Sequence, residues 1–317
     1  MVTTSSADDR PDITVVVTAC EDSPALRACL ARVREQASAL GAEVLLACNV
    51  DETALDETSR AEVARLVTRV VYEPEPGKSN ALNAAVGAAR GRVVAFTDDD
   101  ALPDQGWLAA ITAPILSGSD EVSGCGGPVL PVFPHGGPPD WLRHLMGRTR
   151  STFLGPYHFL GHEPRAYSET DFGAGLPFGA SCAFTREALR AHPYRPELGP
   201  NRKTGLAGGE DTEVALRLLR AGHRLRYVPG ARVHHPVHPD RMTLDWVRRR
   251  HRTLGRETVL LQRALGDEVP DADTLREHIR TCEGHGLRRL LRKPRHKFRR
   301  ELRRISLEGS LEEVLSW

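Results

Sequence analysis

A chain of 317 residues, 40% hydrophobic and 27% charged, has room for one α/β domain with an appendage and buries enough surface to need neither disulfides nor a structural metal. A formal net charge of +1 excludes a strong overall field for nucleic acid, so no nucleic-acid partner is expected. The polar, acidic residues 1–11 do not form a secretory signal, and no apolar run reaches the roughly 18–20 residues that span a bilayer; a cytoplasmic protein is expected. The cysteines Cys20, Cys29, Cys48, Cys125, Cys182 and Cys282 are scattered without a C-x-x-C spacing and read as reduced thiols.

Residues 1–11 read as a disordered lead-in. Ile13–Ala19 is a β-branched run suited to a strand buried on both faces. Asp22 or Ser23 caps a helix with Pro24 in its first turn and Leu26, Leu30 and Val33 on one face. Strands follow at Ala42–Ala47, Val70–Tyr72 and Arg92–Thr97, alternating with helices at Ala61–Thr68 and Ser79–Ala89. That alternation predicts a parallel sheet with helices on both faces and ligands at the carboxyl ends of its strands. From about Gly124 to Gly179 the chain is rich in Gly, Pro and aromatics (Trp141, Phe153, Tyr157, Phe159, Tyr167, Phe172, Phe178). Long loops and short edge strands walling an acceptor site are expected there. Ala180–Thr185 reads as a strand, Arg186–Ala191 as a helix, Glu210–Ala221 as an amphipathic helix, and Arg224–Val228 and Arg232–His235 as short strands. The expected division is a catalytic domain over 12–238, with halves 12–123 and 124–238, and a helical extension over 239–317.

Four groups of residues carry chemistry. Asp98, Asp99 and Asp100 end a buried strand; three adjacent carboxylates repel unless a cation neutralises them, and hard oxygen ligands suit Mg2+ or Mn2+ bridging to phosphate. A solvated acidic turn before Pro103 is the plainer alternative. Glu210 and Asp211 open a helix behind the glycine-rich GLAGG, where the helix dipole favours acids in any case and would keep a general base ionised. Gly77–Lys78 before a helix suits a phosphate or sugar contact without forming a P-loop. His234 and His235, with His238 nearby, could complete a cation or pyrophosphate site or be structural.

In order, ITVVVTACEDSPALRACLARV, EVLLACNVDETALDET, EPEPGKSNALNAAVGAARGRVVAFTDDDALPDQGWL, GASCAFTREAL and GGEDTEVALRLLRAGHRLRYVPGARVHH resemble the family 2 glycosyltransferases, inverting enzymes of the GT-A fold, over about residues 13–235. The GKSNALN-to-DDD stretch is the most specific part. The resemblance implies transfer from a nucleoside diphosphate sugar, UDP favoured, to an acceptor hydroxyl of a glycan, a lipid-linked molecule or a small natural product. It implies that Asp98 and Asp99 contact ribose and donor sugar, that Asp100 ligates Mn2+ or Mg2+, and that Thr18, Ala19 and Glu21 line the nucleoside pocket. Lys78 and Asn83 would sit beside the donor, and Asp211 of the Glu210–Asp211 pair would be the base. His234 or His235 would match the family's C-terminal histidine. Cys48–Asn49–Val50–Asp51 stands where the family has a V-D-D-G-S-like segment, so Asn49 or Asp51 would read the nucleobase. Trp246 precedes Arg248–Arg250 without a Q-x-x-R-W motif, which argues against a processive synthase.

Residues 287–304 carry ten Lys/Arg against one Glu, with Leu287, Leu290, Leu291, Phe298, Leu302 and Ile305 roughly on one side. Such a segment lies on anionic lipid at the inner membrane face or packs on the catalytic domain with its charges in solvent. A nucleotidyltransferase of related architecture would carry a Gly/Arg-rich loop after the first strand, where this chain has TACEDSP. A catalytically decayed sugar-nucleotide-binding scaffold is disfavoured by retention of both acid groups.

Overall fold

The computed structural model describes residues 11–54, 56–118, 121–134, 137–142, 157–173, 175–283 and 294–317. Its first hundred residues run β1 (Ile13–Ala19), α1 (Pro24–Ala39), β2 (Glu43–Cys48), α2 (Glu57–Ala64), β3 (Arg69–Tyr72), α3 (Lys78–Ala88) and β4 (Val93–Asp98). Helix α1 starts where Ser23 accepts the Leu26 N–H at 3.0 Å, the side-chain cap that satisfies an orphan donor of the first turn. Period-2 alternation splits β1 between two cores. Val15 and Val17 pack with Leu26, Leu30 and Val33 of α1 on one face; Val16 packs with Ala81 and Ala85 of α3 on the other.

Further along come β5 (Leu102–Pro103), α4 (Trp107–Leu116), β6 (Val122–Gly126), β7 (Val129–Val132), β8 (Arg165–Ala166), β9 (Cys182–Thr185), α5 (Arg186–Ala191), α6 (Glu210–Arg220), β10 (Arg224–Tyr227) and β11 (Val233–Pro236). Eight strands form one sheet in the order β3-β2-β1-β4-β9-β6-β10-β8, and β5-β11-β7 form a smaller one. The large sheet is mostly parallel, but β9 runs antiparallel to both β4 and β6, and β8 antiparallel to β10. The expectation of loops and edge strands after Gly124 fails at β6, an interior strand. Its glycine has a packing cause: a Cβ on Gly124 would stand 2.4 Å from Phe184 Cδ1, because that ring crosses the strand. Among the expected wall aromatics, Tyr157, Phe172 and Phe178 do line the central cleft. Tyr167 instead is buried, hydrogen-bonded to His158 at 2.8 Å and edge-on to Tyr227. Phe153 lies outside the described residues.

Helices α7 (Leu244–Leu265), α8 (Ala272–Glu283) and α9 (Pro294–Leu315) complete the chain. α7 and α9 touch backbone to backbone. A Cβ on Gly255 would fall 1.8 Å from Ser306 O, and one on Gly309 2.0 Å from Arg252 O. Ion pairs Arg248–Glu301 (2.8 Å) and Arg256–Glu313 (3.0 Å) flank the contact. Leu302 is buried with Leu142, Val237 and Val247, and Phe298 packs against them; Ile305 is buried too. The described apolar residues of the basic segment are therefore covered by the protein, and Lys297, Arg299 and Arg303 are among the described residues it exposes. Leu287, Leu290 and Leu291 lie outside the described residues. Among the described residues no helix is long and apolar enough to cross a membrane.

Candidate active site

The carboxyl ends of β1 and β4 lie in register, Thr18 beside Asp98, and open into a cleft of about 1660 Å³. Buried valines on both sides leave the first polar residues after each strand nowhere to go but this edge. Asp98 ends β4. Lys78 is the first residue of α3, turned into the cleft by Gly77, whose φ of 130° is in the range that favours glycine. Lys78 Nζ donates to Asp98 Oδ1 at 2.6 Å, with the side chains 20% and 16% exposed. Burial alone would push the Asp98 carboxyl up; Lys78 and His235 override it and hold it well below the usual carboxylate range. Burial, then repulsion from Asp100 and Asp98, pushes Asp99 up to about 6.

The histidine choice that sequence leaves open is a question of strand face. On β11, His235 turns into the cleft, with Nε2 3.0 Å from Asp100 Oδ1 and 3.7 Å from Asp98 Oδ2. His234 turns the opposite way and pairs with Asp104 Oδ1 at 3.1 Å; it does not line the cleft. His238 is exposed and contacts Asp240 at 3.4 Å. His235 Nδ1 stands 3.0 Å from Pro236 O, so that nitrogen carries the donated proton and Nε2 is the one available to a cation. Burial would lower the imidazole, but Asp100 and Asp98 override it and push it up to about 10; a cation arriving there displaces a proton. Among the described residues no group of three or more His, Cys, Asp or Glu forms a ready metal cage. Asp100 and His235 fit instead a cation that takes two protein ligands and completes its shell with phosphate and water.

Across the cleft, Gly209 (φ 106°) caps α6 and brings Glu210 and Asp211 into its first turn. Asp211 Oδ2 accepts the Gly179 N–H at 3.1 Å and Oδ1 accepts the Thr212 N–H at 2.7 Å. Glu210 is buried, and its Oε2 has no hydrogen-bond partner among the described residues. Burial and the neighbouring Asp211 push Glu210 up to about 8. Burial also raises Asp211, but its two backbone N–H partners and Lys78 oppose the rise. Of the two, Glu210 is pushed up without a side-chain partner to hold it ionised, whereas the backbone N–H groups and Lys78 favour the carboxylate form of Asp211. Gly179 joins the two halves: a Cβ there would lie 3.5 Å from Lys78 Nζ and 3.7 Å from Asp211 Oδ2.

A raised folded pKa on Glu210 means that its ionisation opposes folding. The cost grows as pH rises from the unfolded carboxylate range through about 8. Glu210→Gln is expected to gain stability over the wild type between pH 5 and pH 8, by on the order of a few kcal/mol. Thermal melts at the two pH values measure this, and a difference that stays constant with pH would reject the buried, protonated Glu210.

Thr18, Ala19, Glu21, Asn49, Asp51, Lys78, Asp98, Asp99, Asp100, Glu210, Asp211 and His235 all line the cleft. Asn83 does not. Its amide donates to Tyr194 O at 2.7 Å and accepts the Tyr194 N–H at 2.9 Å, so it clamps the chain behind α5. Asn49 is at the wall but occupied: it accepts the Gly77 N–H at 2.8 Å and donates to Glu73 O and Glu75 O at 3.0 and 2.8 Å. It shapes the loop that delivers Lys78. Two contributors were missed by the sequence reading. Gly179 offers its backbone N–H to Asp211, and residues 198–201 stitch the loop that leads to Asp211 to the Lys78 loop through Lys78 N–Pro200 O (3.0 Å), Ser79 Oγ–Leu198 O (2.7 Å) and Asn201 Nδ2–Pro76 O (3.0 Å).

An acid-lined cleft at the carboxyl edge of a mostly parallel sheet, faced by a carboxylate at a helix start, is the layout of a GT-A transferase fold. The family described as "Glycosyltransferase like family 2" matches residues 11–254, and the chain belongs to it. The succinoglycan biosynthesis protein ExoM of Rhizobium meliloti is 29% identical over 192 residues, 57% of this chain and 51% of that protein. An uncharacterised glycosyltransferase of Mycobacterium tuberculosis is 34% identical over 117 residues, 37% of this chain and 50% of that protein. The chain thus spans about half the length of these curated relatives. Among solved structures, a mannosyltransferase from Pyrobaculum calidifontis in complex with GDP-Man and Mn2+ aligns with a TM-score of 0.54 at 19% identity, over 96% of this chain and 87% of that one. Glucosyl-3-phosphoglycerate synthase from Mycobacterium tuberculosis, with Mn2+, UDP-glucose and phosphoglyceric acid, aligns with a TM-score of 0.51 at 20% identity, over 82% and 81%. Likeness at this identity shows the shared GT-A fold.

Proposed function

We propose that this chain transfers a glycosyl group from a nucleoside diphosphate sugar to an acceptor hydroxyl by one inverting displacement. The observation that carries the reading is the opposition of Asp211, fixed by two backbone N–H groups, to Lys78, Asp98, Asp100 and His235 across one cleft. Asp211 takes the acceptor's proton while the acceptor oxygen bonds to the anomeric carbon and the bond from that carbon to the diphosphate breaks. Base and leaving group then lie on opposite faces of the sugar, which inverts its configuration. Lys78 stabilises the charge growing on the leaving diphosphate. Asp100 and His235 would hold Mn2+ or Mg2+, which supplies further positive charge to that diphosphate when bound.

Thr18, Ala19, Glu21 and Asp51 line the nucleoside end of the cleft in this reading. Asn49 is committed to the 73–77 loop; Asp51 uses Oδ1 to accept from Thr53 N and Oγ1, so in this reading it would meet the nucleobase through Oδ2. UDP is the favoured nucleotide. Calorimetric titration with UDP, GDP and dTDP, each with and without Mn2+, tests the donor half. Mn2+-dependent binding of one nucleotide is expected. Binding of none under either condition would overturn the assignment and favour a scaffold that has lost its donor.

A further inference from the structure

The cleft carries basic groups at more than one place. Lys78, Arg202 and Lys203 line it along with the carboxylates already described. The far wall is built by the turn after β11, by α7 and by α9, and it carries Arg241, Arg250 and Arg299. The carboxylate of α7 that lines this wall, Glu257, is already held: its Oε2 accepts from Arg250 at 2.7 Å and its Oε1 from the Ala207 N–H at 2.7 Å. Among the described residues Arg241 has no carboxylate partner. Arg250 also approaches the base: its Nη2 would lie 3.8 Å from a Cβ on Gly208, three residues before Asp211. Arg250 gives Nη1 to Glu257, which leaves its Nη2 and the guanidinium of Arg241 to meet an anion, and such planar forks match phosphate oxygens. Beside them Trp246 and Leu254 present apolar surface to the same cleft, which a purely hydrophilic acceptor would leave unused.

We infer that the acceptor carries a phosphate-class anionic group, seated by Arg241 and Arg250, with an apolar portion against Trp246 and Leu254. This rests on the glycosyltransferase reading, because it takes the far end of the cleft as the acceptor end. The acceptor hydroxyl then approaches Asp211 along the 205–209 loop while the anion anchors the rest of the molecule. The anion takes no part in bond making.

The test is calorimetric titration of the full chain, saturated with UDP and Mn2+, by octyl phosphate, by inorganic phosphate and by octyl glucoside. Octyl phosphate is expected to bind, octyl glucoside at least tenfold more weakly. Arg241→Gln is expected to weaken octyl phosphate at least tenfold with UDP affinity unchanged. Arg250→Gln gives the second reading, with a thermal melt to register any loss of the Glu257 contact. Tighter binding of octyl phosphate than of inorganic phosphate supports both halves of the inference and indicates an amphiphile such as a lipid phosphate. Equal binding supports the anionic seat, indicates a small soluble phosphorylated acceptor and overturns the apolar contact with Trp246 and Leu254. Failure of octyl phosphate to bind a UDP-saturated protein, or equal binding by wild type and Arg241→Gln, would overturn it and leave the donor reading intact. A protein that binds no nucleotide fails the donor reading instead; octyl phosphate titrated alone then decides the arginine site by the same comparison.

Discussion

Asparagine in place of Asp211 is expected to cut kcat by about 10²–10⁴-fold, the usual range for loss of a general base, with Mn2+-dependent nucleotide affinity that of the wild type. Asparagine keeps an oxygen for the Gly179 or Thr212 N–H, so the start of α6 should hold its shape and the loss should fall on proton transfer. The same residue sets an acid limb to the rate. Burial raises the Asp211 carboxyl, and a base works only when deprotonated. Activity should therefore fall as pH drops through a value above the ordinary aspartate range. Stopped assays of sugar transfer across pH 4–9 would show it. A wild-type rate in the variant, or a limb unchanged by the substitution, would remove Asp211 from the chemistry.

The second large effect is expected at the cation. Asp100→Ala and His235→Ala should each lower transfer by at least about 10²-fold at fixed Mn2+, in the range seen when a preorganised charge stabiliser is lost. Because the two side chains face each other at 3.0 Å and would share one ion, the double variant should lose little more than either single one. Metal titration of the rate should recover part of each loss at high Mn2+. Strictly additive losses, with no recovery, would mean that the pair is structural and the cation is held elsewhere.

How far these residues could be read in advance depended on how local their causes are. Strands β1, β2 and β4 were legible because runs such as ITVVVTA and RVVAFT suit burial on both faces, and the Asp triplet lies at the end of one of them. β6 was hidden because its glycines answer to distant side chains, Gly124 to Phe184 and Gly126 to Tyr167 and Pro177. Likewise, two adjacent histidines look equal until the strand pairing decides that His235 faces Asp100 and His234 faces Asp104. Asn83 misled for a geometric reason. It follows Lys78 by five residues on one helix, roughly 140° round the axis, so the same segment that aims Lys78 at the cleft aims Asn83 at Tyr194. The reversed strand β9 left no mark on its own composition; CAFT reads the same in either direction of pairing.

The seam between the Lys78 loop and the 198–201 segment has a thermodynamic corollary. Lys78 and Asp211, which serve donor and acceptor in the proposed reaction, hang from loops joined by the Pro200, Leu198 and Asn201 hydrogen bonds. Whatever free energy a bound donor spends on settling the first loop is shared by the second, so the two ligands are linked. Linkage is reciprocal: if donor occupancy tightens acceptor binding by some factor, acceptor occupancy must tighten donor binding by that same factor.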